Sequence, residues 1–291
     1  MTVVGAEEVR QVAVVGSGTM GRGIAQVAAM AGYRVRLFDA QPGRAKSALE
    51  SIRETLEQGV ARGKVARESM GAVLSLLAVS ETLEDVSQEA DLVVEAIPEI
   101  LALKEALFKN LGGLCRESAL LASNTSSLSV TRLARAASRP ERVVGLHFFN
   151  PPHLMRLVEV VRAATSCDAA VETALGVVRK MGKEAIVVRD SPGFATSRLG
   201  VALGLEAMRM VEEGVASPES IDKAMELGYG HPMGPLRVSD LVGLDVRLAI
   251  AKTLHQELGA AHFAPPSILV EKVREGKLGK KSGEGFYRWE K

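Results

Sequence analysis

Three glycines near the start of the chain have the spacing of a phosphate-binding turn. They lie in the hexapeptide GSGTMG at positions 16–21, which matches the pattern G-x-G-x-x-G. A short apolar run, Gln11 to Val15, precedes the turn, and a stretch compatible with a helix, Met20 to Ala31, follows it. Backbone N–H groups and the dipole at the start of such a helix favour a pyrophosphate. We predict a dinucleotide site with these cofactor-binding residues: Gly16, Gly18, Thr19, Met20 and Gly21.

A carboxylate follows where a ribose-binding group is expected. Arg34 to Phe38 is predicted as the second strand, and Asp39 comes directly after it, about 20 residues beyond the glycine turn. A carboxylate there can accept hydrogen bonds from ribose hydroxyls, which favours NAD over NADP. Two alternatives stay open: Asp39 is an ordinary turn residue, or Arg36 and Arg44 accommodate the 2′-phosphate of NADP.

The elements around these residues alternate between strand and helix. Apolar runs at Leu92 to Ile97, Ala119 to Ser123 and Arg142 to His147 are separated by helical stretches. This alternation is typical of a parallel sheet that is covered on both faces. Strand-like segments at Arg156 to Val161 and Ala185 to Val188 are expected to complete the sheet.

The rest of the chain has a different character. Turn signals at 190–193, 217–218, 228–235 and 265–266 divide it into four predicted helices. We therefore predict an α/β fold in which a Rossmann-type, doubly wound, mostly parallel sheet is followed by an all-helical C-terminal domain. The predicted domains are an NAD-binding domain at residues 1–189 and a helical substrate and dimerisation domain at residues 190–291.

Composition narrows the classes of protein. The 291 residues carry a formal net charge of +1 and few aromatic side chains, so no basic surface suggests nucleic acid as a partner. Cys115 and Cys167 are too few for a disulfide framework, which favours a reducing, cytoplasmic compartment. No apolar run is long enough for a membrane span, and no histidine or cysteine cluster has metal-ligand spacing.

Five longer motifs carry a resemblance to a known family. They are Ser123-Asn124-Thr125-Ser126-Ser127, His147-Phe148-Phe149-Asn150-Pro151, Asp190-Ser191-Pro192-Gly193-Phe194, His231-Pro232-Met233-Gly234-Pro235 and Lys280-Lys281-Ser282-Gly283-Glu284-Gly285-Phe286-Tyr287. In order and spacing the chain resembles the 3-hydroxyacyl-CoA dehydrogenase family over nearly its whole length. In its length, the chain resembles the stand-alone bacterial members of the family, which act on 3-hydroxybutyryl-CoA.

The resemblance implies hydride transfer between NAD and a 3-hydroxyacyl-CoA. His147 follows as the general base, because alcohol oxidation needs a proton acceptor and imidazole titrates near neutrality. Glu159, on the next predicted strand, would fix the tautomer of His147, and Ser126 would bond the substrate oxygen. Other interpretations stay open: His147 is a core histidine, Glu159 pairs with a surface cation, and Ser126 is only a helix cap.

Further site residues follow from position in the family. Glu99 and Lys104 are expected at the cofactor, with an exposed helix start as the alternative, and Asn150 is expected beside the nicotinamide or substrate, with a turn residue before proline as the alternative. Ser197 departs from the family, which usually has asparagine at this catalytic position. A hydroxyl cannot donate and accept through separate groups as an amide does, so the activity of this chain is in question.

Three functional hypotheses result. The first is an NAD-dependent dehydrogenase of an acyl-CoA substrate, forming a homodimer through the helical domain. The second is a related dehydrogenase of a free hydroxy acid, which would need a cationic clamp for the carboxylate. The third is a non-catalytic NAD-binding protein, for which Ser197 is the sequence support.

Overall fold

A computed structural model describes residues 3–290, and these residues divide into two compact units after Asp190. The first unit contains one sheet. Its strands are β1 Gln11–Val15, β2 Arg34–Phe38, β3 Leu77–Val79, β4 Leu92–Glu95, β5 Leu120–Ser123, β6 Val143–Phe148, β7 Leu157–Arg162 and β8 Glu184–Arg189. Its α-helices are α1 Thr19–Met30, α2 Arg44–Ala61, α3 Arg67–Ser75, α4 Leu83–Ser87, α5 Leu101–Leu114, α6 Val130–Ala136 and α7 Asp168–Lys180.

The sheet has the order β3-β2-β1-β4-β5-β6-β7-β8. All neighbouring strands run parallel except β6 and β7, which pair antiparallel. The strands β1 to β3 are added toward one edge of the sheet, and β4 is added on the opposite side of β1. The carboxyl ends of β1 and β4 therefore flank a crevice. Open α/β sheets bind ligands at this kind of switch point. The predicted doubly wound, mostly parallel sheet is confirmed.

The central strands are apolar because helices cover both of their faces. Every residue of β1, β4, β5 and β6 is buried, as expected for strands without a solvent face. The helix α1 packs beside β1 through small residues. A Cβ on Gly21 would lie 1.8 Å from the carbonyl oxygen of Gly16, so only glycine permits this approach.

Short elements were the ones that sequence periodicity did not reveal. The strand β3 has three residues, none of them fully buried, and it lies at the edge of the sheet beside β2. Such a segment lacks the alternation or the long apolar run that identifies a strand. The prediction of four helices after residue 190 was also wrong, because residues 191–290 contain five α-helices.

The second unit is built from helices. They are α8 Thr196–Glu212, α9 Pro218–Tyr229, α10 Pro235–Val242, α11 Leu244–Leu258 and α12 Ser267–Arg274. Their apolar faces form a separate core around Leu205, Met208, Leu244 and Phe263. Within residues 3–290, no helix is both long and apolar enough to cross a membrane.

A buried carboxylate fastens the C-terminal segment to this helical core. Asp240 has no exposed surface, and it accepts hydrogen bonds of 2.9 Å from the backbone N–H groups of Phe286 and Tyr287 and from the indole of Trp289. A Cβ on Gly285 would lie 2.2 Å from Oδ1 of Asp240. Gly285 of the C-terminal motif is therefore required by this close packing.

We expect Asp240→Asn to lower the free energy of unfolding of the second unit by about 2 to 4 kcal/mol. The NH2 group of the new asparagine would face N–H donors and could not accept their hydrogen bonds. Urea unfolding followed by Trp289 fluorescence measures the loss. Glu271→Gln is the matched control, since it removes one charge from an exposed position of the same unit. Equal midpoints for the two variants would contradict this role of Asp240.

Candidate active site and cofactor groove

The glycine turn connects β1 to α1 with the geometry that the motif predicts. Gly16 has a φ of +97°, and a Cβ there would lie 2.6 Å from the carbonyl oxygen of Ala96. Gly18 precedes the first residue of α1, and a Cβ at this position would meet no atom within 4 Å. The space beside Gly18 is thus open for a ligand, while the other two glycines are required by the protein's own backbone.

Asp39 connects the end of β2 to the glycine turn. Its Oδ2 accepts hydrogen bonds of 2.8 Å from both the backbone N–H and the hydroxyl of Ser17, and its Oδ1 accepts one of 3.0 Å from the N–H of Gln41. Burial raises the pKa of Asp39, but these hydrogen bonds and the charge of Arg44 outweigh burial, so its pKa lies below the ordinary value. Asp39 is therefore an anion at neutral pH that also orders the turn.

A groove of about 740 Å³ runs along the carboxyl ends of β1, β2 and β4. It is lined by five of the predicted cofactor residues: Gly16, Gly18, Thr19, Met20 and Asp39. Apolar side chains on α5, among them Leu103 and Leu107, form the opposite wall. A groove that is lined by the glycine turn and by the Asp39 carboxylate fits a dinucleotide.

His147 and Glu159 form a buried hydrogen-bonded pair. They are direct neighbours in the antiparallel register of β6 and β7, so both side chains stand on the same face of the sheet. The distance from Nδ1 of His147 to Oε2 of Glu159 is 2.7 Å. Glu159 has no exposed surface and His147 is 6 % exposed. The structure thus pairs Glu159 with His147 in the interior, whereas the alternative interpretation placed it with a surface cation.

The His147 side chain borders a second cavity, of about 350 Å³. Glu99, Ser126, Asn150 and Met20 also line it, which brings five sequence-predicted site residues together. Met20, Ala96 and Ile97 border both this cavity and the groove. The two spaces therefore adjoin, with the predicted base next to one end of the predicted dinucleotide site.

Lys104 does not line the second cavity. Its side chain is fully buried in the first turn of α5, and its ammonium is 2.6 Å from Glu95 and 3.1 Å from Glu99. Burial raises the pKa of Glu95, although the Lys104 charge and three hydrogen bonds, one of them from Ser123, oppose that rise. The alternative of an exposed helix start is wrong for Lys104, which positions Glu99 by charge.

Glu99 connects this buried cluster to Ser126. Its Oε1 accepts hydrogen bonds from the hydroxyl of Thr125 at 2.5 Å and from the backbone N–H of Ser126 at 2.9 Å. Burial raises the pKa of Glu99, but the Lys104 charge and these bonds outweigh it, so the net pKa is lowered. Ser129, not Ser126, caps the helix α6 by accepting from Arg132, which removes the helix-cap interpretation of Ser126.

The remaining predicted residues have simpler placements. Asn150 is exposed and lies directly before Pro151, where it lines the second cavity. Ser197 belongs to the second unit, where it is the second residue of α8 and partly buried. Among residues 3–290, no group of three or more His, Cys, Asp and Glu side chains is arranged to hold a metal ion.

Three residues of the site were not predicted from sequence. Asn124 lines the second cavity, and its side-chain oxygen accepts a 2.9 Å hydrogen bond from the N–H of Phe148, next to the catalytic candidate. Ser17 binds Asp39, and Glu95 binds Lys104. Asn124 and Glu95 could have been found as polar residues at the carboxyl ends of buried strands. Ser17 carries no comparable signal.

Comparison with known protein families agrees with this geometry. The family model described as 3-hydroxyacyl-CoA dehydrogenase, NAD binding domain, matches residues 11–191. The model described as 3-hydroxyacyl-CoA dehydrogenase, C-terminal domain, matches residues 193–289. The first unit is thus an NAD-binding domain, and the two matches together cover almost the whole chain.

Individual relatives are similar along their full length. A probable 3-hydroxybutyryl-CoA dehydrogenase of Bacillus subtilis is 43% identical over 97% of this chain and 98% of its own length. A 3-hydroxybutyryl-CoA dehydrogenase of Bradyrhizobium diazoefficiens is 41% identical over 96% and 95%. The crystal structure of (S)-3-hydroxybutyryl-CoA dehydrogenase from Ralstonia eutropha superposes with a TM-score of 0.94 at 36% identity, covering 97% of this chain and 100% of that one. The chain therefore belongs to the 3-hydroxyacyl-CoA dehydrogenase family of NAD-dependent oxidoreductases.

Proposed function

We propose that this protein interconverts (S)-3-hydroxyacyl-CoA and 3-ketoacyl-CoA with NAD, and that 3-hydroxybutyryl-CoA is its substrate. The observation that carries the proposal is the pair of His147 and Glu159, 2.7 Å apart, beside a cavity that adjoins the dinucleotide groove. The names of the relatives supply the substrate class. The geometry supports His147 as the base, because its cavity adjoins the predicted dinucleotide groove.

The residues of the groove fit NAD. Backbone N–H groups at the start of α1, next to Gly18, would hold the pyrophosphate, and the ionised Asp39 would accept hydrogen bonds from a ribose. A 2′-phosphate would meet the charge of Asp39, although Arg44 lies in the same wall of the groove. NAD bound there would supply the hydride acceptor for alcohol oxidation.

The chain's own part in the reaction is proton transfer and orientation. Because the Glu159 carboxylate accepts from Nδ1, His147 keeps Nε2 as its basic nitrogen, and Nε2 takes the proton of the 3-hydroxyl. Glu159 then stabilises the imidazolium, since both groups are withdrawn from water. Ser126 would donate to the substrate oxygen, and Ser197 would offer one hydroxyl where the family has an amide.

The test is an assay of NADH loss with acetoacetyl-CoA, run beside free acetoacetate and beside NADPH. We expect CoA-dependent turnover that prefers NADH, and we expect His147→Ala to reduce kcat by about 10²- to 10⁴-fold, the usual contribution of a general base. His153→Ala is the matched control, because His153 does not line the second cavity.

Two outcomes of this assay would contradict the proposal. Turnover of free acetoacetate at the rate of the thioester would indicate a dehydrogenase of free hydroxy acids. NADH binding without turnover of acetoacetyl-CoA or longer 3-ketoacyl-CoA would indicate a non-catalytic NAD-binding protein, in which Ser197 has replaced a required amide.

We further propose that two copies associate through the helical unit, in the reducing cytoplasm that the two free cysteines suit. The support is a set of exposed apolar side chains on α8, α10 and α11: Leu199, Leu203, Leu241, Val242 and Val246. We expect light scattering to give the mass of a dimer and Leu199→Asp to give the mass of one chain. Leu227→Asp, at an exposed position of α9, is the control, and a monomeric wild type would contradict the proposal.

A further inference from the structure

The wall of the second cavity carries a carboxylate that shares its cation with another carboxylate. Among the described residues that line this cavity, Glu99 is the one Asp, Glu, Lys or Arg side chain. Its Oε2 lies 3.1 Å from the ammonium of Lys104. The same ammonium lies closer, at 2.6 Å, to Oε1 of Glu95. One positive charge therefore stands between two acidic side chains.

Glu95 neutralises most of the Lys104 charge. Neither Glu95 nor Lys104 has exposed surface, so water does not screen their attraction, whereas the Glu99 side chain is 36 % exposed. Glu95 also accepts hydrogen bonds of 2.8 Å from the N–H of Ile97 and of 2.6 Å from the hydroxyl of Ser123, which is the bonding of an ionised carboxylate. The group of three thus keeps a net negative charge, and this charge lies on Glu99 at the cavity.

The Glu99 carboxylate is charged and held in one position. Burial raises its pKa, but the Lys104 charge and the hydrogen bonds from Thr125 and Ser126 outweigh burial, so the pKa lies below the ordinary value. Both of these hydrogen bonds go to Oε1, which fixes the orientation of the carboxylate. A charge that is already in place acts on a bound ligand without any reorganisation of the protein.

The proposed reaction identifies a ligand group whose charge changes. Oxidation of the alcohol removes a proton from its hydroxyl and a hydride from the carbon that carries this hydroxyl, and a carbonyl forms. The proton goes to His147 and the hydride goes to the nicotinamide, so the ring must lie beside the cavity that His147 lines. The ring is positively charged in NAD⁺ and neutral in NADH, while the pyrophosphate and both riboses are the same in the two forms.

We propose that Glu99 sets the relative affinity of the site for the two forms of the cofactor, because its charge attracts the nicotinamide of NAD⁺ and not that of NADH. The inference rests on the proposed function for the position of the nicotinamide. By linkage, a site that favours NAD⁺ shifts the equilibrium between the bound reactants toward NAD⁺ and the 3-hydroxyacyl-CoA. Glu99 therefore has a role beyond its contacts with Lys104 and Ser126.

The test measures the Kd of each cofactor form without acyl-CoA, for NADH from its fluorescence and for NAD⁺ by competition with NADH. Glu99→Gln removes the charge but keeps a side-chain oxygen that can accept from Ser126. We expect the ratio of the NAD⁺ Kd to the NADH Kd to rise by about 3- to 10-fold, as for one unit charge at a partly screened contact. Glu99→Asp, which keeps the charge, should stay closer to the wild-type ratio.

Asp39→Asn is the matched control, since it removes one carboxylate charge from the groove beside a ribose that both forms share. We expect it to weaken NAD⁺ and NADH by the same factor. Equal weakening of both forms by Glu99→Gln would overturn the proposal, because Glu99 would then serve only to shape the site. Turnover of acetoacetyl-CoA is measured separately: an active protein with an unchanged ratio refutes this inference alone, and a changed ratio without turnover refutes only the proposed substrate.

Discussion

The antiparallel pairing of β6 and β7 is the constraint on which the candidate active site depends. In a sheet that is otherwise parallel, this one reversal sets His147 opposite Glu159 and sends both side chains to the same face. A carboxylate with no exposed surface is costly without hydrogen-bond donors, and a shift of the register by one residue would turn it to the other face. The register and the hydrogen bond therefore stabilise each other.

The cofactor groove rests on a different principle, because the glycine turn at its edge depends on the close approach of backbone segments. Gly16 and Gly21 are required by contacts of 2.6 and 1.8 Å that a Cβ would make with the chain itself, while Gly18 leaves open space. One side chain orders the turn: the Asp39 carboxylate accepts hydrogen bonds from the N–H and the hydroxyl of Ser17. Because Asp39 orders the backbone of the glycine turn, the N–H groups of the turn can bind an anion without a positively charged side chain.

The long, strongly patterned parts of the fold were predictable from sequence. The strand at Gln11–Val15 and the glycine turn have unambiguous signals, whereas β3 is too short and too exposed to show periodicity. Side-chain partners were harder. The burial of Lys104 was not foreseen, because a lysine in a first helical turn is usually exposed and its partner Glu95 lies in a strand nine residues earlier.

The hydrogen bond between His147 and Glu159 is tested most directly by nitrogen NMR of the histidine-labelled protein. This measurement reports the tautomer of the neutral His147 ring. The account predicts that the proton is on Nδ1 in the wild type, donated to Glu159, and that Glu159→Leu removes this preference. A proton on Nε2 in the wild type would contradict it, because the nitrogen assigned to take the substrate proton would already carry one.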